Sequence, residues 1–150
     1  TITGPEADLR GCGCAIGGAT APALELARRL ALDLGMHPVA IEDDDRAAYH
    51  AAASIASNFL VTLEAAAETV ARGAGIEPED ARRLLGPLVQ RTVENWIQMG
   101  PEAALTGPVV RGDEATVEAQ RAAVADTAPD LLPLFDELVE RTRALAGVPA

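Results

Sequence analysis

The chain has 150 residues, 49% of them apolar, and sets 12 Arg and no Lys against 23 acidic residues for a net charge of −11. Length and apolar content suffice for the core of one domain, or of one domain and part of another. The negative charge repels nucleic-acid backbones and anionic lipid surfaces, and the lack of Lys removes the Schiff-base nucleophile and the lysine of a phosphate-binding P-loop.

No uncharged apolar run is long enough to span a bilayer, and the opening Thr-Ile-Thr-Gly lacks the basic and apolar regions of a secretion signal. A cytoplasmic protein is expected. The first residue is not Met, so the chain is expected to be trimmed or to belong to something longer.

The opening third reads as strand, helix, strand. Cys12 to Ile16 is a short apolar run ending in Gly17-Gly18, and Ala21-Pro22 starts a periodic helix through Leu24, Ala27, Leu30 and Leu34 that Gly35 stops. His37 to Ile41 makes a second short strand. This is the βαβ unit of a parallel sheet, but two strands cannot bury both faces of such a sheet, so further strands are expected outside the chain.

From Glu42 onward the pattern is helical. Asp43, Asp44 and Asp45 are expected to cap one long helix from Asp43 to about Arg72, ended by Gly73-Ala74-Gly75. Pro78 starts the next helix, Gly86-Pro87 breaks or kinks it, and Val89 to Met99 continues. Pro101 to Leu105, Asp113 to about Ala125 and Asp130 to about Ala146 complete the set. The long helix is apolar on several faces, through Ile55, Phe59 and Leu63 and through Ala52, Ala56, Leu60 and Ala67, which describes the central rod of a bundle. One of its neighbours is expected from a second copy of the chain.

Several motifs carry chemical readings. Cys12 and Cys14 at i, i+2 point to one face of a strand, are poorly placed to bond each other, and read as small buried hydrophobes. With His37 they lack a fourth ligand, and no metal is expected. Gly11-x-Gly13-x-x-x-Gly17 does not read as a dinucleotide loop, because its glycines fall within the strand and not in the turn opening the helix.

On the long helix, His50, Ser54 and Asn58 follow at i, i+4, i+8 and stack as a polar stripe, with Ser57 beside them. Each group left unpaired on a buried rod costs about 1–3 kcal/mol, so the stripe needs water, a ligand or another chain. A hydroxyl and a carboxamide here can hold a substrate oxygen while the imidazole exchanges a proton near neutral pH. A satisfied core histidine is the plainer reading. The stretch Leu105 to Asp113 is loop-like, with Asp113 as a helix cap and Arg111 either solvated or gripping a carboxylate.

The runs Tyr49-His50-Ala-Ala-Ala-Ser-Ile-Ala-Ser-Asn58-Phe-Leu-Val-Thr-Leu63 and Ala104-Leu-Thr-Gly-Pro-Val-Val-Arg-Gly-Asp113 resemble the C-terminal domain of a family of two-domain bacterial proteins. These join a Rossmann-like NADP-binding domain to a helical domain of unassigned function, and are similar in plan to ketopantoate reductases and the 6-phosphogluconate dehydrogenase C-terminal-like group. The resemblance covers about residues 1 to 146.

It implies a mainly α fold: a multi-helix 6-phosphogluconate dehydrogenase C-terminal-like bundle with a long central helix (residues 43–150), preceded by a short βαβ remnant of a Rossmann-like domain (residues 1–42). The cofactor, NADP, would be bound mainly by a domain missing from this chain, which alone would be inactive. His50 stands where ketopantoate reductases carry a lysine, and Ser54 and Asn58 where they carry two asparagines. Thr106 and Arg111 would contact the carboxylate of a small keto or hydroxy acid, and the protein would form a homodimer. From another class, the alternative is a non-catalytic helical dimerisation or interaction module.

Overall fold

The computed structural model describes residues 7–148. The opening Thr-Ile-Thr-Gly and the last two residues of the Ala-Gly-Val-Pro-Ala tail lie outside that range. The chain divides into two compact units, Thr1–Val61 and Thr62–Ala150.

The first unit holds β1 (Gly13–Ile16), α1 (Ala21–Asp33) and β2 (His37–Ala40). The two strands pair in parallel, Gly13 opposite His37 through Ile16 opposite Ala40, with α1 as the crossover. Thr20 caps α1 by accepting the Ala23 amide at 3.3 Å, and Pro22 sits in the first turn, where no N–H is needed. At the other end Gly35 takes φ +72°, Met36 N–H donates to Ala31 and Gly35 N–H to Leu32, which closes the helix as the sequence predicts. Ile16 and Ala31 are the buried apolar residues of this unit.

The expected long helix is two helices. A 3-10 turn over Asp43–Asp45 leads into α2 (Arg46–Ala56), and α3 (Asn58–Gly73) follows after a break at Ser57, whose φ −123° and ψ −73° are not helical. The aspartates do not cap α2 either. Asp45 is itself αR, at φ −90° and ψ −7°, whereas a capping side chain needs an extended backbone to turn back on the helix. Asp43 instead pairs with Arg46 at 2.9 Å. Neither α2 nor α3 contains a buried residue, so the rod that composition suggests is not enclosed within this chain.

In the second unit α3 ends in the turn Ala74–Glu77, and α4 (Pro78–Met99) starts with Pro78 in its first turn. Gly86-Pro87 does not break α4. A proline ring clashes with the Cβ of the residue before it, and Gly86 has none, so the helix passes through with one hydrogen bond missing. Then come α5 (Pro101–Ala104), α6 (Glu114–Thr127), a 3-10 turn Pro129–Leu131 and α7 (Leu132–Ala146). Ala81, Val117, Val124 and Ala128 are buried here. Gly73 lies so close to Thr127 that no side chain fits at position 73, which fixes the end of α3 against the end of α6. The fold is mainly helical with a short two-stranded parallel sheet at its start.

Candidate active site

In the first unit, Arg46 opens α2 and its guanidinium reaches the β1–α1 turn, where a Cβ added to Gly17 would come within 2.8 Å of it. One turn along α2 stands His50, exposed, and a further turn on Ser54, half-buried. They share a face at i, i+4. Tyr49 leans toward His50, ring centroids 5.6 Å apart and planes at 56°. Neighbouring side chains on a helix normally diverge by about 100°, so this contact gives the imidazole an aromatic flank. Asn58 does not continue the stripe in helical register, because it begins α3 beyond the break at Ser57.

Thr106 and Arg111 belong to the second unit, and both are exposed on the loop between α5 and α6. Gly107 turns the chain at φ +101°, Pro108 accepts the amides of Arg111 and Asp113 at 3.1 and 2.9 Å, and Gly112 turns it again at φ +66°. Asp113 caps α6, accepting the Thr116 amide at 3.1 Å and its hydroxyl at 2.7 Å. Its carboxyl is held below the ordinary aspartate value by the Thr116 hydroxyl first, then by the amide, with Arg111 adding its charge. Arg111 takes part in no ion pair among the described residues, which leaves its forked donors open to a carboxylate.

The cysteines are not buried: Cys12 is exposed and Cys14 half-buried, and both are free thiols. Only Ile16 points fully inward on β1, because a four-residue strand facing one helix encloses little. Parallel pairing sets His37 beside Gly13, yet no group of three or more His, Cys, Asp or Glu among the described residues could hold a metal ion. The glycines are also placed differently from expectation. Gly11 precedes β1, Gly13 begins it, and Gly17 lies in the turn after it. In that turn Gly17 faces Arg46, and a Cβ on Gly18 would lie 2.6 Å from the Leu24 amide nitrogen, so the turn packs tightly against the start of α1.

Two features escape the sequence. Arg121 on α6 grips Asp136 on α7 through both oxygens, at 2.8 and 3.0 Å, and Arg143 bridges Glu114 and Glu140, around a groove of about 380 Å³. Both partners hold the Arg121 and Arg143 guanidinia above the ordinary value, Asp136 for the first and chiefly Glu140 for the second. A second groove of about 530 Å³ runs over Leu85, Val89 and Val93 of α4, with Glu64 and Glu68 of α3 at its rim and Glu68 paired to Arg82 at 3.0 Å. Arg121–Asp136, Arg143–Glu114 and Glu68–Arg82 join separate helices, so no local spacing marks them; Arg143–Glu140 is an i, i+3 pair within α7, and the 85, 89, 93 period hints at the second groove.

A parallel β-α-β unit followed along the chain by helices, in a mainly helical fold, defines the class. The chain belongs to the family DUF2520, a domain of unknown function, whose match spans residues 12–142. Among solved structures it is similar to protein TM1727 from Thermotoga maritima, at 31% identity and TM-score 0.79 over 90% of this chain and 53% of that one. It is also similar in fold to BF3122 from Bacteroides fragilis, described as a "putative NADP oxidoreductase", at 20% identity and TM-score 0.75 over 93% of this chain and 52% of that one. The chain thus spans about half the length of the solved structures it matches. Comparison with curated proteins gives no match. No helix among the described residues is long and apolar enough to cross a membrane.

Proposed function

We propose that this chain is the substrate-binding and pairing domain of an NADP-dependent oxidoreductase of the cytoplasm that acts on a small keto or hydroxy acid, in the manner of ketopantoate reductases. The observation that carries the reading is the placement of His50 and Ser54 one turn apart on α2, a helix with no buried residue, so both are accessible to a small molecule. The name of the Bacteroides fragilis structure, the same in fold, supports it.

In this reading residues 1–42 belong to the end of a Rossmann-like domain and residues 43–150 form the helical domain. A bound nicotinamide would supply the hydride, with its pyrophosphate held mainly by a domain outside this chain. His50 gives or takes the proton of the hydroxyl-carbonyl pair, and Ser54 and Asn58 hold that oxygen. Thr106 and Arg111 bind the carboxylate, the guanidinium by two parallel hydrogen bonds. Two copies pair as a homodimer. The chain alone is inactive.

The test is calorimetric titration of NADPH into a longer protein that contains this domain and into the 150-residue chain, each with and without a panel of small 2-keto acids. Binding by the longer protein alone, tightened by one acid and loosened by His50→Ala, is expected. If neither protein binds NADPH, the oxidoreductase reading falls, and a helical interaction module takes its place.

A further inference from the structure

We infer that the groove between α3 and α4 is a binding site for a small primary ammonium compound with an apolar tail. This site uses none of the residues assigned to the keto or hydroxy acid, and it does not rest on the oxidoreductase reading.

The turn at residues 74–77 brings α4 back beside α3, and Glu68 on α3 pairs with Arg82 on α4 at 3.0 Å. The Glu68 side chain is only 23% exposed, and its charge is answered within the chain. One turn earlier on α3 stands Glu64, half-buried and lining the same groove. It forms no hydrogen bond or ion pair among the described residues. One turn beyond Arg82 on α4 is Gly86, which has no side chain to offer, and a Cβ built there meets nothing within 4 Å. Glu68 therefore has a cation across the groove, whereas beside Glu64 the wall of the groove is open.

The floor is formed by Leu85, Val89 and Val93, half-buried at four-residue spacing along one face of α4. A groove of about 530 Å³ with an apolar floor and a few polar groups at its rim has the make-up of a small-molecule site. Charge selects the occupant. Three carboxylates, of Glu64, Glu68 and Glu94, stand against the single guanidinium of Arg82 among the described residues that line it, so an anionic ligand is repelled. Glu94 is already paired with Arg91 at 3.0 Å, which leaves Glu64 as the carboxylate free to receive an ammonium. A cation held against apolar surface is screened by less water than one in open solvent, which strengthens that pairing. Gln90 at the rim adds a carboxamide oxygen that can accept a second ammonium N–H. The hydrocarbon tail then covers Leu85, Val89 and Val93, which a bare metal ion or a hydrophilic amine would leave in water.

The experiment is an NMR titration of the isotope-labelled 150-residue chain with hexylammonium, hexanol and hexanoate in turn, at one ionic strength. Saturable binding of hexylammonium is expected, with the largest shifts at Glu64, Gly86, Val89 and Val93; hexanol should bind about tenfold more weakly, and hexanoate more weakly still. Glu64→Gln keeps the shape of the side chain and removes its charge, so it should weaken hexylammonium about tenfold and leave hexanol unchanged. Should that variant fail to fold, the ranking of the three probes on the unaltered chain decides. Hexylammonium that binds no better than hexanol, shifts that fall outside the groove, or an affinity that a folded Glu64→Gln chain retains would overturn the inference. Hexylammonium binding here together with no NADPH binding by the longer protein would keep this site and sink only the oxidoreductase reading.

Discussion

Asp113 accepts both the amide and the hydroxyl of Thr116, at 3.1 and 2.7 Å, so one carboxylate closes the first turn of α6 and anchors the end of the loop that carries Thr106 and Arg111. The shape of a candidate substrate loop therefore depends on a helix cap outside its exposed residues. Because the folded chain holds this carboxyl below its ordinary value, the unfolded chain binds the proton more readily. The stabilisation is present above the ordinary aspartate range, near pH 4, and is lost as pH falls through the lower, folded value. Urea midpoints of the chain and of Asp113→Ala should differ at neutral pH and converge in strong acid. A gap that persists unchanged into acid would show that the carboxylate is not what holds the cap.

Gly73 has no room for a side chain, because Thr127 occupies the place of its Cβ. Gly73→Ala should cost about 2 kcal/mol by forcing α3 away from α6. Truncating Thr127 in the same chain should recover part of the loss, a coupling that a double-mutant cycle reads directly.

Gly18 is equally constrained, with the Leu24 amide nitrogen 2.6 Å from where a Cβ would stand, whereas Gly13 has nothing within 4 Å. Gly18→Ala should destabilise by about 3 kcal/mol and Gly13→Ala by less than about 1 kcal/mol. Equal effects in denaturant titrations would contradict this account of the β1–α1 turn.

Pro87 costs α4 one backbone hydrogen bond. Pro87→Ala should restore it and raise stability by about 2 kcal/mol. Gly86→Ala with Pro87 retained should do the opposite, since the proline ring then meets a Cβ.

In a longer, active protein, His50→Ala should lower turnover about a hundredfold, the usual contribution of a positioned proton donor. Arg111→Met should instead raise KM about tenfold or more with kcat little changed, because a grip on the carboxylate, whose charge does not change as the carbonyl is reduced, binds ground state and transition state alike. A kcat loss at Arg111 equal to that at His50 would place the arginine at the reacting centre.

The sequence by itself determined the elements whose causes are local. Thr20, Pro22 and Gly35 delimit α1, Pro78 opens α4, and Asp113 caps α6, each through hydrogen bonds or sterics within a few residues. The parallel pairing of β1 with β2 followed from their lengths and the helix between them. His50 and Ser54 were legible as a pair for the same reason, since four residues along a helix is a short, regular distance.

Only the tertiary structure decided where that regularity stops. Nothing in Ala-Ser-Asn-Phe signals a break, yet Ser57 leaves the helical region and Asn58 starts a new helix, so a stripe of three became a pair and a neighbour. Burial was decided at the same level: apolar composition suggested an enclosed rod and hidden cysteines, but enclosure needs surrounding surface, and α2, α3 and Cys12 lack it within this chain. The Arg121–Asp136 pair and the α4 groove likewise arise from helices distant in sequence. Caps and turns are set by a residue and its neighbours along the chain, whereas enclosure and ion pairs between helices are set by what the fold brings beside them.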